Sequence, residues 1–243
     1  MKSLFAAIRF LTVLPLPSAD PEDAAVLGRS TRFFPVIGLL AGLVMVGLDA
    51  VLGAVLPAGP RNVLIVLAMV GVSGGLHLDG LADTADGFLS SRPRERVLEI
   101  MKDSRIGTMG VLAIVGALAL KVSALASIPA DRRWPALLLM PLAGRTALVI
   151  AMNVLPYARP TGLGATFEAH KSRWDAIWAI GILAMTGYAA AGWHGLCAAA
   201  GTIIVTVVVA LWSQSKIGGW TGDTVGAACE LCETVPALLA GVP

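Results

Sequence analysis

Residues 61–78, RNVLIVLAMVGVSGGLHL, and residues 108–128, TMGVLAIVGALALKVSALASI, are apolar runs close to membrane-crossing length. Between them the chain reads His77-Leu78-Asp79-Gly80-Leu81-Ala82-Asp83-Thr84-Ala85-Asp86-Gly87, then Lys102-Asp103-Ser104-Arg105-Ile106-Gly107. The runs decide the fold class, and the cluster they enclose says where to look for chemistry. Charge is costly beside a membrane core, so acids kept there need a reason.

Working outward, the whole chain has the same character. Of its 243 residues 56% are hydrophobic and only 14% charged, with a mean hydropathy of +0.79. A soluble domain of this length is far more polar, so the composition predicts a polytopic membrane protein. Gly, Ala and Val dominate the apolar part, which suits close helix packing in lipid. Seven segments approach the roughly 20 residues that cross a bilayer: 33–57, 61–78, 108–128, 134–156, 176–193, 196–213 and 221–241. The last carries Glu230 and Glu233. Met1 to Pro17 is too short and interrupted to span and reads as an interfacial helix. No repeat or linker divides the chain, so residues 1–243 form one all-α domain, a bundle of about seven transmembrane helices.

The basic residues orient that bundle. With the N-terminus in the cytoplasm, Lys2, Arg9, Arg29, Arg32, Arg92, Arg94, Arg96, Lys102, Arg105, Arg159, Lys171, Arg173 and Lys216 lie inside, against Arg61, Arg132 and Arg133 outside. Positive charge favours the cytoplasmic side. The acidic loop, the loop from Tyr157 and the stretch Gly218-Gly219-Trp220-Thr221-Gly222-Asp223 then share the cytoplasmic face. A channel needs polar groups along its whole depth, so one-sided convergence favours a catalytic or binding face.

Asp79, Asp83 and Asp86 are spaced i, i+4, i+7, which puts them on one helical stripe. Unpaired carboxylates so arranged repel unless a cation sits among them. Magnesium, which takes one or two carboxylates with substrate phosphates and water, suits the site. Lys102 and Arg105, with Ser104 and Asp103 beside them, are candidate phosphate ligands ahead of a helix start at Gly107-Thr108. Arg145 lies mid-span, where a guanidinium needs a cavity or an acid partner. Gly219, Thr221, Gly222 and Asp223 form a glycine-rich turn whose amides would hold a phosphate, Asp223 adding a metal or hydroxyl contact. His77 is a candidate general base, substrate contact or structural cap. Cys197, Cys229 and Cys232 read as small apolar residues, because the Cys229–Cys232 pair has no second pair to complete a zinc site.

These motifs together resemble the cobalamin synthase family, the adenosylcobinamide-GDP ribazoletransferases. The resemblance rests on Gly75 to Gly87, Glu99 to Thr108, Gly144-Arg145, Tyr157-Ala158-Arg159 with Gly162-Leu163-Gly164, and Gly219 to Thr224. Arg9-Phe10-Leu11-Thr12, Leu14-Pro15 and Phe34-Pro35-Val36-Ile37-Gly38 add to it near the start. It runs in order from about residue 4 to 235, with Trp220 a departure where a smaller or amide side chain is expected.

The resemblance implies a magnesium-dependent enzyme of a prokaryotic inner membrane. A hydroxyl of α-ribazole, or of its 5′-phosphate, attacks the cobinamide-side phosphorus of adenosylcobinamide-GDP and GMP leaves. On that reading Asp79, Asp83 and Asp86 hold magnesium, Lys102, Arg105 and Arg145 neutralise phosphate, and Asp103 or His77 takes the hydroxyl proton. The implied partners are those two substrates and the lipid bilayer. Nothing marks a nucleic-acid partner, and a homo-oligomer is left open.

Two other classes share part of this pattern. CDP-alcohol phosphotransferases open their motif in a similar way, but the Arg they place next is Asp83 here and the later acidic portion is missing. A cation-coupled transporter would tend to carry an internal repeat and midplane acids.

Overall fold

The computed structural model describes residues 1–16 and 24–242. Pro17, which ends the expected interfacial segment, lies outside that range. Among the described residues the chain is helical apart from turns and one backbone bridge between Tyr157 and Trp220. The elements are α1 (Lys2–Leu11), α2 (Ala24–Gly28), α3 (Phe34–Gly53), α4 (Ala58–Val72), α5 (Leu76–Phe88), α6 (Arg94–Ile100), α7 (Thr108–Ser127), α8 (Ala130–Val154), α9 (Leu163–His170), α10 (Arg173–Ala191), α11 (Trp193–Ile217) and α12 (Gly222–Ala240). A 3₁₀ turn, Thr31–Phe33, leads into α3.

The bundle is built around α8. Every residue of it from Pro135 to Met152 is buried, and α3, α10, α11 and α12 pack around it. Its neighbours turn apolar faces outward: Val111, Leu112 and Val115 on α7, Ile177, Trp178 and Met185 on α10, Ile204, Val208 and Leu211 on α11. Exposed side chains this apolar, over this many helices, form a lipid-facing belt.

All seven expected spans are helical. Ala24–Gly53, α7, α8, α10 and α11 are long and apolar enough to cross a membrane. The second and seventh expected spans fall short. The second breaks after α4 at Gly74 (φ +62°) and Gly75 (φ +80°), and α5 leaves at 89° to α4. Two consecutive left-handed residues are strained for any residue with a Cβ, so the glycines place the corner. The seventh, α12, carries Asp223, Glu230 and Glu233. Most of it lies inside the bundle, where protein and not lipid meets Glu230 and Glu233.

α5 has 13 residues, a length of roughly 20 Å, too short to span. It lies across the first turns of α7 and α12: Ala82 sits against Gly110, and Gly80 and His77 against Asp223 and Gly226. α1 is amphipathic as expected, burying Ala7 and Leu11 and exposing Lys2 and Arg9. It packs beside Phe34 and Phe167 at the same end of the bundle.

Candidate active site

The α5–α12 crossing builds the site. A Cβ on Gly80 would stand 2.8 Å from the carbonyl oxygen of Asp223, so only glycine lets the two helices approach there. The crossing sets Asp79, on α5, beside Asp223, on α12, along one crevice, and Asp223 and Asp79 both act on the charge of Asp83. α12 starts sharply at Thr221, whose hydroxyl accepts the Thr224 amide while the Thr224 hydroxyl accepts the Thr221 amide. Such a reciprocal cap fixes where Asp223 points.

Two cavities meet at Asp79. One, of about 310 Å³, is lined by Asp79, Asp83, Lys102, Asp103 and Ser104 with Met101 and Ile106. The other, of about 160 Å³, is an apolar crevice walled by Phe10, Leu148, Met152, Phe167 and Trp220, with Asp79, His77 and Asp223 on its polar side. Burial, then the neighbouring charges of Asp79, Asp223 and Asp86, push the Asp83 carboxyl up to about 7. Arg159 is the cation that counters them, donating to Asp223 at 2.8 Å.

The three-aspartate stripe therefore divides. Asp79 and Asp83 reach the larger cavity, whereas Asp86 turns to α7, accepting the amides of Gly107 at 2.7 Å and Gly110 at 2.8 Å. α7 begins without a capping side chain of its own, and Asp86 supplies the missing acceptor from another helix. This corrects the expectation that all three acids share one ion.

Other expectations are corrected too. Arg145 lies outside both cavities: it donates to Glu233, and Lys121 donates to Glu230 and Glu233 at 2.6 Å each, all four side chains buried. Its mid-span position is explained by an ion network and not by phosphate. Asp103 lines the larger cavity but gives both oxygens to Arg105, at 3.0 and 2.7 Å, and that guanidinium draws its carboxyl down to about 2. So weak a base is poorly matched to accepting a proton near neutrality. Arg105 itself is 87% exposed and does not line the cavity.

The glycine-rich turn is no open cradle. The Trp220 amide donates to Pro156 and the Thr221 amide to Thr224, while the carbonyl of Gly219 accepts the Ser213 hydroxyl. Gly219 lets that strand of backbone lie against Pro156. Of Gly219, Thr221, Gly222 and Asp223 the last two line the crevice, beside the Trp220 ring. Trp220, read as an incidental departure, is 1% exposed and donates its indole N–H to Glu168 at 3.2 Å.

Sequence reasoning missed Arg159 as the partner of Asp223 and missed the aromatic crevice. Arg159 stood in a quoted motif without a role. The crevice draws on α1, α8 and α9, whose convergence no local pattern encodes.

The residues fit a magnesium ion supported by substrate better than a closed metal cage. Among the described residues no three His, Cys, Asp or Glu side chains come together as a metal-binding group. Magnesium needs only one or two carboxylates when phosphates complete its shell, and Asp79 and Asp83 share a cavity wall with too much negative charge for its cations.

A bundle of membrane-crossing helices with carboxylates and a lysine gathered around a cavity at one end defines an integral-membrane protein with a one-sided polar site. Comparison with known proteins then makes the class particular. The sequence model of the family described as cobalamin-5-phosphate synthase matches residues 3–241, and the chain belongs to that family. It is 42% identical over 237 residues to an adenosylcobinamide-GDP ribazoletransferase of Herpetosiphon aurantiacus, covering 96% of this chain and 93% of the relative. Proteins of the same name from Roseiflexus sp. (40% identical over 94% of this chain and 85% of theirs) and Pseudomonas fluorescens (39%, over 100% and 99%) are also similar. No solved structure matches.

Proposed function

We propose that this protein is an adenosylcobinamide-GDP ribazoletransferase, closing the nucleotide loop of cobalamin at a cytoplasm-facing site in a prokaryotic inner membrane. Seven spans with the N-terminus inside is the topology that agrees with the charge bias. The observation that carries the reading is the wall shared by Asp79, Asp83 and Lys102, in a chain that matches the family over residues 3–241.

In the reaction an α-ribazole hydroxyl oxygen forms a bond to the cobinamide-side phosphorus. The bond from that phosphorus to the bridging oxygen breaks, GMP leaves with its electron pair, and the hydroxyl proton passes to water at the open mouth. A loose transition state of this kind asks for positioning and charge neutralisation more than for a strong base. That agrees with an Asp103 held by Arg105. Asp79 and Asp83 would hold the magnesium, which when bound neutralises charge on the diphosphate. Lys102 would meet phosphate in the same cavity, and Arg159 holds Asp223 in place. The cavity draws its acids from α5 and the turn before α7 and not from the depth of several spans, which favours this reading over transport.

The test is the purified full chain in detergent with adenosylcobinamide-GDP, α-ribazole and magnesium. GMP and the joined corrinoid nucleotide should form in equal amounts, and chelation should stop both until magnesium is returned. Failure to form either product with magnesium present overturns the reading.

A further inference from the structure

The apolar crevice has no task in the phosphate chemistry, yet it opens beside it. At about 160 Å³ it is well below the roughly 300 Å³ at which pockets hold whole drug-sized ligands, so neither a corrinoid nor a nucleoside diphosphate fits inside. One flat ring system does. Phe10 and Phe167 lie 5.2 Å apart, centroid to centroid, and Trp220 stands fixed by Glu168. Aromatic walls like these favour a planar aromatic guest.

One polar group inside has no protein partner. His77 is 3% exposed, it lines the crevice, and neither ring nitrogen makes a hydrogen bond. Buried polar groups are normally satisfied, and an orphan costs about 1–3 kcal/mol. A neutral imidazole carries one N–H donor and one acceptor. Asp79 walls both the crevice and the larger cavity, so a molecule whose ring enters the crevice leaves its attached sugar at the phosphate site.

We propose that the crevice binds the aromatic base of the acceptor nucleoside, with the His77 ring donating its N–H to the unsubstituted ring nitrogen of a benzimidazole. This rests on the transferase reading and deepens it: it assigns base recognition to His77, Phe10, Phe167 and Trp220, and gives His77 a binding role in place of proton transfer. A base lacking that ring nitrogen leaves the imidazole unsatisfied and is disfavoured.

The experiment measures kcat and KM for α-ribazole and for the matching indole riboside, in which C–H replaces the ring nitrogen, using the full chain in detergent. The wild type should prefer α-ribazole by roughly tenfold in kcat/KM, the value of one buried hydrogen bond. In His77→Leu the ratio should fall to about one, with KM for α-ribazole raised and KM for adenosylcobinamide-GDP unmoved. Leu163→Trp, at a mouth residue 54% exposed and so tolerant of change, should raise KM for both nucleosides alone. If the wild type turns over adenosylcobinamide-GDP but His77→Leu keeps the tenfold preference, or Leu163→Trp raises KM for adenosylcobinamide-GDP instead, the base site is wrong and the transferase reading survives. If the wild type releases no GMP, both fall.

Discussion

The Asp86 carboxylate accepts the backbone N–H of Gly107 at 2.7 Å, capping a helix that starts 22 residues further along the chain. A Cβ on Gly110 would sit 2.5 Å from the same carboxylate, so the acid and the glycines are one device. Asp86→Ala should lower the unfolding free energy by roughly 1–3 kcal/mol, the cost of leaving helix-start amides unsatisfied. Thermal unfolding in detergent measures that. The magnesium concentration for half-maximal activity should stay as in the wild type. An Asp86→Ala protein of normal stability with weakened magnesium response would return Asp86 to the metal site.

Asp83 links the site to pH. Its folded carboxyl titrates at about 7, above the usual carboxylate range, through burial first and then the charges of Asp79, Asp223 and Asp86. The folded state therefore binds this proton more tightly than the unfolded chain. Without metal, stability from this group is greatest below the ordinary carboxylate pKa, declines as pH rises to about 7, and is flat above. A bound cation favours the ionised form, so adding magnesium at pH 6 should release close to one proton per protein, and near pH 9 almost none. A pH-indicator titration reads the difference. Asp83→Asn should abolish it, and release that persists in Asp83→Asn would place the linked proton elsewhere.

The ion network around Arg145 separates structure from catalysis. Removing one partner of a buried pair strands a charge and costs about 3–5 kcal/mol. Arg145→Met leaves Glu233 with Lys121 alone, which Glu230 already shares. It should unfold at much lower temperature than the double change Arg145→Met with Glu233→Gln, which removes charge in a pair. Transferase activity per folded molecule should return in the double variant. An inactive, stable double variant would mean that Arg145 touches substrate.

Much of this was legible in the sequence because a membrane chain writes its fold in long apolar runs. Six of the seven runs are each a helix, the second is two helices meeting at a corner, and α1 is the amphipathic segment expected from Met1 onward. Asp79 and Asp83 were legible because their i, i+4 spacing holds on any helix. Asp86 was not, because spacing cannot say that the next helix lacks a cap of its own. Arg145 read as functional because Glu230 and Glu233, its compensation, stand more than 80 residues away on α12. The crevice was hidden for the same reason. Phe10, Met152, Phe167 and Trp220 lie on four separate stretches, and only the packed bundle brings them together.

The α5–α12 contact offers the sharpest test of positioning. Gly80 borders the crevice but offers no side chain to it, and its close contact is with the backbone of Asp223. An added methyl group would meet the Asp223 carbonyl oxygen at 2.8 Å, and backbone cannot yield as a side-chain tip can. Gly80→Ala should therefore push α5 outward by a fraction of an ångström or more, moving Asp79 and Asp83 relative to Asp223. Misplacement on the order of 1 Å costs about 10²-fold in rate, so kcat should fall by roughly 10- to 100-fold. Helix propensity acts the other way, since Ala is favoured over Gly by about 1 kcal/mol inside a helix. Gly71→Ala, where nothing lies within 4 Å of the new methyl, serves as the control and should keep full kcat. Steady-state kinetics on both variants, beside their unfolding temperatures, decides the matter. A Gly80→Ala enzyme as fast as the wild type would mean that the α5–α12 spacing does not set the catalytic geometry.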